Sequence, residues 1–276
     1  MVGANRFPEA RLAALKLLRD HGVERACDIN VEAIASKLGA RITFDDLDGA
    51  TARVIRIGSL AEIRISNRIE EVGWRRFTTG HELGHLCLGH VVAQGTPGEI
   101  ERVCTPMNPD RRESERAASV FASELLMPEP FVLPFCQTST ITLAPAREIA
   151  REFSTSVLAS AMRFIELTTA RCALVYSELG RVRWIKPSAT FPDWIARGRS
   201  LDPSSPAFGY HHTGKLDTEP HLLAADAWLP HDRIDGPTVQ IVEHSALIPE
   251  LGAVFSMLWL PETETQHLDL GAAFLQ

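Results

Sequence analysis

FTTGHELGHLCLGH, residues 77–90, places three of the chain's ten histidines within ten residues. Read as a helix, it sets His81 and His85 one turn apart on a single face. Two imidazoles at that separation can grip one metal ion. Glu82 is rotated by about 100° from His81, so its carboxylate can reach a water on that metal without taking a ligand position. This is the H-E-x-x-H arrangement of metal-assisted peptide hydrolysis, two ligands and a general base. The metal draws the pKa of its water toward about 7, and the carboxylate takes the proton as the water attacks a carbonyl. Phe77, Leu83, Leu86 and Leu88 make the surroundings apolar. Gly84 and Gly89 weaken a helix; they either permit close packing or end it. The motif helix is expected from about Val72 to His90.

A catalytic zinc site commonly takes three protein ligands and leaves one position for water. On a continuing helix His90 is turned by about 140° from His85, which makes it a surface histidine or one standing behind the site. The better source is a carboxylate of the following helix, RRESERAASVFASELLMP (111–128), which offers Glu113, Glu115 and Glu124. Its apolar face runs through Ala117, Phe121 and Leu125. Glu113 continues that ridge, and Glu115 lies on the opposite shoulder near Ala118 and Ala122. Both border the buried face, so helix phase leaves both open. A structural zinc would be closed by four ligands, usually including thiolates. Cys27, Cys87, Cys104, Cys136 and Cys172 contain no C-x-x-C, and read as reduced, mostly buried thiols of a cytoplasmic protein.

With 276 residues, 45% hydrophobic and 23% charged, the chain reads as globular, with two or three domains. Its net charge of −7 gives no overall basic field to draw nucleic acid. No stretch is apolar enough to span a bilayer. The opening MVGANRFPEARLAALKLLRDHG has the pattern of an amphipathic helix, not of a signal peptide. These features point to a soluble cytoplasmic protein with no membrane partner.

Along the chain, residues 8–21 show helical spacing with Pro8 in the first turn. Asn30 is the expected N-cap of a second helix that Gly39 ends. The period then changes to two: ARITFDDL, a turn at Asp48-Gly49, ATARVIRI and AEIRISN read as three short antiparallel strands. QGTPGEIERVCTPMNPD reads as a surface loop. After the carboxylate-bearing helix, AREIAREF and SVLASAMRFIELT form a helix-turn-helix outline with a seam of Ala150, Phe153, Val157 and Ala161 and a cap at Ser156. Arg163 is the only cation on the second of these helices, which argues against strong phosphate contact. RCALVYSEL, RVRWIKP, HLLAADAWL, TVQIVEHSALIP and AVFSMLWLP read as strands of a last, antiparallel-sheet domain, interrupted by the polar LDPSSPAFGYHHTGKLDTEP. The class is α+β, with expected divisions at 1–130, 131–170 and 171–276.

Beyond the five-residue motif, RRFTTGHELGHLCLGH followed by ESERAASVFASELLMP resembles the ImmA/IrrE metallopeptidase family. That family shows R-x-R-F-T-x-A-H-E-L-G-H and then E-x-E-A-x-x-F-A-x-x-L-L-M-P. The length, the helix-turn-helix-like pair and the final sheet resemble the family's radiation-response regulators. The resemblance implies a zincin-like metallopeptidase domain with a small antiparallel sheet, a helix-turn-helix-like middle domain and a GAF-like last domain. It implies an endopeptidase that cleaves a DNA-bound repressor of the XRE type, one resembling DdrO, to induce a DNA-damage or stress response. His81 and His85 carry over as ligands and Glu82 as base. The family's first helix glutamate falls on Glu115, but its second falls on Ala117. Glu113, one turn earlier on the same ridge, is the favoured replacement as third ligand, with Glu115 the alternative. Zinc is the default for a His/His/Glu set, with manganese or iron as competitors.

The contrasting reading is a DNA-binding regulator that uses the helix pair and a non-catalytic metal site. A small-molecule signal bound by the last domain is a third expectation.

Overall fold

The expected helix signals are realised first at the amino end of a computed structural model that describes residues 7–57, 60–90, 100–104, 112–192, 195–231 and 239–262. Pro8 opens α1 (Pro8–Asp20). The Asn30 side chain accepts the Ala33 N–H at 2.8 Å and caps α2 (Val31–Lys37), and Gly39 follows in the left-handed region at φ 73°. Packing separates two units: Asn5–Val132 with Ile149–Ser160, and Leu133–Glu148 with Ala161–Gln276.

The first unit holds a four-stranded mixed sheet in the order β1-β3-β2-β4, with β1 Ala40–Asp45, β2 Ala52–Ile57, β3 Leu60–Ser66 and β4 Ile100–Cys104. Two sequence expectations change here. β1 is not the hairpin partner of β2; it runs parallel to β3, from Ala40 opposite Ala61 to Asp45 opposite Ser66. Residues 46–51 are too long for the two-residue turn that makes a tight hairpin. Only two residues separate β2 from β3, so β3 pairs with β2 and fills the slot beside β1. Its Ile63 and Ile65 are fully buried there. The second change is β4, which lies inside the stretch expected to be loop and pairs antiparallel with β2.

The motif helix α3 (Val72–Cys87) begins where expected, because the Glu71 carboxylate accepts the N–H groups of Gly73 and Trp74. It packs on α4 (Arg112–Leu126), and α1 packs on α4 as well. Ala118, Phe121, Ala122 and Leu125 of α4 are completely buried. Glu124, one of the three candidate carboxylates, is structural. It pairs with Arg11 of α1 at 2.9 Å and accepts the Glu129 N–H at the start of α5 (Glu129–Val132).

α6 (Ala144–Phe153) and α7 (Val157–Leu167) are the expected helix pair, and Ser156 Oγ accepts the Ala159 N–H at 3.1 Å as the cap. A Cβ on Gly73 would lie 2.3 Å from Ser156 N and 2.5 Å from Thr155 C. The start of α3 therefore rests on the backbone of the α6–α7 turn. Alanine in a helix gains about 1 kcal/mol over glycine, but overpacking costs about 1–3 kcal/mol, and backbone cannot swing aside. Gly73→Ala should be destabilising in urea unfolding; an unchanged or raised midpoint would refute this packing.

The second unit carries a five-stranded antiparallel sheet, β6-β5-β9-β8-β7: β5 Cys172–Glu178, β6 Arg181–Pro187, β7 His221–Ala224, β8 Gln240–Ile248, β9 Ala253–Trp259. Leu179 and Gly180, at φ 50° and 72°, make the β5–β6 turn. The polar stretch after β6 contains α8 (Pro206–Thr213), begun by Pro206 and ended by Gly214 at φ 76°. Trp228, Ile241, Val254 and Leu258 are core residues. Among them Glu243 is fully buried and accepts from Trp228 Nε1, Ser205 Oγ and Ser245 Oγ. The cysteines are less buried than expected: Cys27 and Cys87 are exposed, Cys136 is half-buried and Cys172 buried, all free. The α+β class stands as read from the sequence. No helix among the described residues is long and apolar enough to cross a membrane.

Candidate metal centre

α3 delivers two imidazoles and α4 one carboxylate to a common point in the first unit. His81 Nε2 is 3.1 Å from His85 Nε2 and 3.0 Å from Glu115 Oε2, and His85 Nε2 is 3.4 Å from the same oxygen. The two rings stand at 86° to each other with centroids 4.7 Å apart. Nitrogen and oxygen ligands at about 2.0–2.1 Å from a tetrahedral zinc lie roughly 3.3 Å from one another. The three atoms are at that spacing, so the donor set fits a divalent cation of this size without rearrangement. His85 is completely buried, the His81 side chain is 14% exposed and Glu115 is about one-third exposed. The site is closed on the α3 side and open beside the carboxylate.

Among the described residues this is the one group of three acidic, His or Cys side chains with such convergence. Glu113, the favoured third ligand, is outside it and exposed. Two residues along a helix is about 200° of rotation, so when α4 turns Glu115 toward α3 it turns Glu113 away. Glu82 is fully buried. On α3 it falls about 60° from His85 and about 100° from His81, within one arc of the helix.

The close approach of the two helices is set by small residues. A Cβ on Gly84 would come to 3.1 Å from both the Cα and the carbonyl oxygen of Ala118 and 3.2 Å from Phe121; one on Gly80 would meet the Ala122 Cβ at 3.4 Å. Gly84→Ala should push α4 outward by tenths of an ångström and carry Glu115 with it. Its Zn2+ affinity, measured against a chromogenic chelator, should fall. Gly80→Ala should keep wild-type affinity and gain up to about 1 kcal/mol of stability. Equal affinities in the two variants would show that helix separation does not set the site.

Two further side chains meet the imidazoles from behind. Ser119 Oγ is 3.3 Å from His81 Nδ1, and His90 Nδ1 is 3.1 Å from His85 Nδ1. Ser119 was not singled out by the sequence; its signal is its position four residues after Glu115. His90 faces the site because α3 ends at Cys87 instead of running on to residue 90.

Residues 35–164 match the IrrE N-terminal-like domain, Peptidase_M78, a metallopeptidase domain. Both the His81/His85/Glu115 group and nearly all of the α6–α7 pair fall within the matched residues. A solved structure described as a Mycobacterium tuberculosis transcriptional regulator resembles the chain with a TM-score of 0.59 at 14% identity, over 99% of this chain and 81% of that one. At that identity the likeness is one of fold. No curated protein sequence matches the chain significantly.

Proposed function

We propose that this chain is an IrrE-type metal-dependent endopeptidase that cleaves a DNA-binding repressor of the XRE type, one resembling DdrO, and so induces a DNA-damage or stress response. The observation that carries this reading is the His81/His85/Glu115 group at ligand spacing on α3 and α4, inside the matched metallopeptidase domain. His81, His85 and Glu115 would hold the cation; zinc suits the set, with manganese or iron as competitors in a cell. A divalent cation bound there would supply polarisation of the scissile carbonyl and would acidify the attacking water. Glu82 accepts that water's proton and later delivers it to the leaving amine. The open side at Glu115 is where an extended substrate segment would enter. The first unit fits a zincin-like role, and the five-stranded sheet of the second fits a GAF-like module that senses a small molecule. The cytoplasm, where such a repressor resides, is the proposed location.

A second reading is favoured by two observations. The helices α6 and α7 are joined by the three residues 154–156, the connection a helix-turn-helix would need, and the structural neighbour is described as a transcriptional regulator. This reading makes the chain a DNA-binding regulator with a non-catalytic metal site. Arg163 counts against it. The sole cation of α7 is buried and pairs with Glu166, which also binds Lys186 at 2.6 Å, so it is not presented to phosphate.

The test is incubation of the purified protein, loaded with Zn2+ or Mn2+, with candidate XRE-type repressors, read on a gel beside a chelator-treated control. Metal-dependent cleavage at one position is the expected result. Sequence-specific retention of DNA by the protein, with every repressor left intact, would overturn the peptidase reading in favour of the second.

A further inference from the structure

We infer that Ser119 and His90 are positioning residues that lock the rings of His81 and His85 in the tautomer a metal requires. The inference rests on reading His81, His85 and Glu115 as the metal site. It starts from hydrogen bookkeeping. Both imidazoles aim Nε2 at the ligand cluster. A neutral imidazole that offers the Nε2 lone pair carries its proton on Nδ1. Each Nδ1–H then needs an acceptor, and one stands behind each ring.

For His81 the acceptor is Ser119. Its hydroxyl lies 2.8 Å from the carbonyl oxygen of Glu115, a group that can only accept. The single hydroxyl proton is committed to that carbonyl, which leaves an oxygen lone pair for His81 Nδ1–H at 3.3 Å. One hydroxyl therefore joins a ligand on α3 to the backbone of the ligand on α4.

For His85 the acceptor is His90, and a helix end places it there. α3 stops at Cys87, Gly89 takes φ 70°, and the backbone N–H of His90 turns back to the carbonyl of His85 at 2.9 Å. Gly89 N–H bonds to Leu86 O at 3.4 Å, completing the paired bonds of a Schellman ending. The turn brings the His90 ring edge onto His85, Nδ1 to Nδ1 at 3.1 Å. Since His85 must donate, His90 Nδ1 accepts and carries its own proton on Nε2. Outer partners of this kind fix ring orientation and raise ligand basicity. The partner is usually a carboxylate or carbonyl; here it is a hydroxyl on one side and a neutral imidazole on the other.

The test compares the full-length wild type with Ser119→Ala, Ser119→Thr, His90→Ala and His90→Gln. Zn2+ affinity is measured by competition with a chromogenic chelator, and site geometry by the visible absorption of bound Co2+. Each alanine variant should lose about 10–100-fold in Zn2+ affinity and alter the Co2+ spectrum. Threonine and glutamine, which keep an acceptor, should restore both. Thermal midpoints of the metal-free proteins should agree. Wild-type affinity in the alanine variants, no rescue by the conservative ones, or a wild type that binds no Zn2+ would overturn the inference. Affinity loss with rescue, in a protein that cleaves no repressor, would uphold it and defeat the peptidase reading. Repressor cleavage with unaltered alanine-variant affinities would do the reverse.

Discussion

Glu82→Gln should abolish repressor cleavage, with a fall of about 10²–10⁴-fold in kcat/KM, while Zn2+ remains bound at wild-type affinity. Three features make the prediction sharp. Glutamine keeps the shape of a side chain that is completely buried, so α3 has no reason to repack. Glu82 is outside the group of convergent ligand atoms, so the metal loses no donor. The substitution removes one capacity only, that of holding a proton between the attacking water and the leaving amine. The outcome discriminates between functions as well as mechanisms. A peptidase that acts on a repressor loses its downstream transcriptional effect with this substitution, whereas a regulator acting through α6–α7 keeps it. Zn2+ affinity by chelator competition and cleavage on a gel are read from the same preparation. Retained cleavage would remove Glu82 from the mechanism, and loss of Zn2+ would make it a ligand instead of a base.

What the sequence made legible is what local periodicity and chemistry encode. His81, Glu82 and His85 were readable because four-residue spacing on a helix fixes their relative directions. Asn30, Gly39 and Ser156 were readable because helix caps demand particular residues. Pairing was not. β4 reads Ile-Glu-Arg-Val-Cys at 100–104, which has no clean alternation, and it is a strand because β2 offers a free edge. The parallel placement of β1 on β3 is a choice among partners that no single strand records. α8 carried its signals, Pro206 at the start and Gly214 at the end, inside a stretch read only as polar. His90 stands behind the site, one of the two places expected of it, and it does so because the chain reverses at Gly89 instead of continuing as helix. The packing units are likewise a tertiary fact, since they take residues 149–160 with the first unit and 161 onward with the second.

The third ligand turns on the same distinction, and its test separates two glutamates that stand about 200° apart around α4. The ridge through Ala117 and Phe121 favoured Glu113. The ridge that meets α3 is the smaller one, Ala118 and Ala122, seated against Gly84 and Gly80. Small residues spaced four apart on both helices mark the line of closest approach, and Glu115, three residues before Ala118 and seven before Ala122, projects from the same face. This pattern was present in the sequence, since glycines at 80 and 84 answer alanines at 118 and 122. Glu115→Ala should therefore remove most of the metal affinity. Structural zinc sites with four ligands are worth about 10–16 kcal/mol in all, so one ligand accounts for roughly 3 kcal/mol or more, a loss of about 10²-fold or greater. Glu113→Ala should change neither affinity nor cleavage, because its side chain is exposed and on the far side of α4 from the imidazoles. Chelator competition on the two variants decides the matter: a large loss in Glu113→Ala with wild-type binding in Glu115→Ala would mean that α4 turns by nearly half a rotation when the metal binds, and the arrangement of His81, His85 and Glu115 would then not be the ligand set.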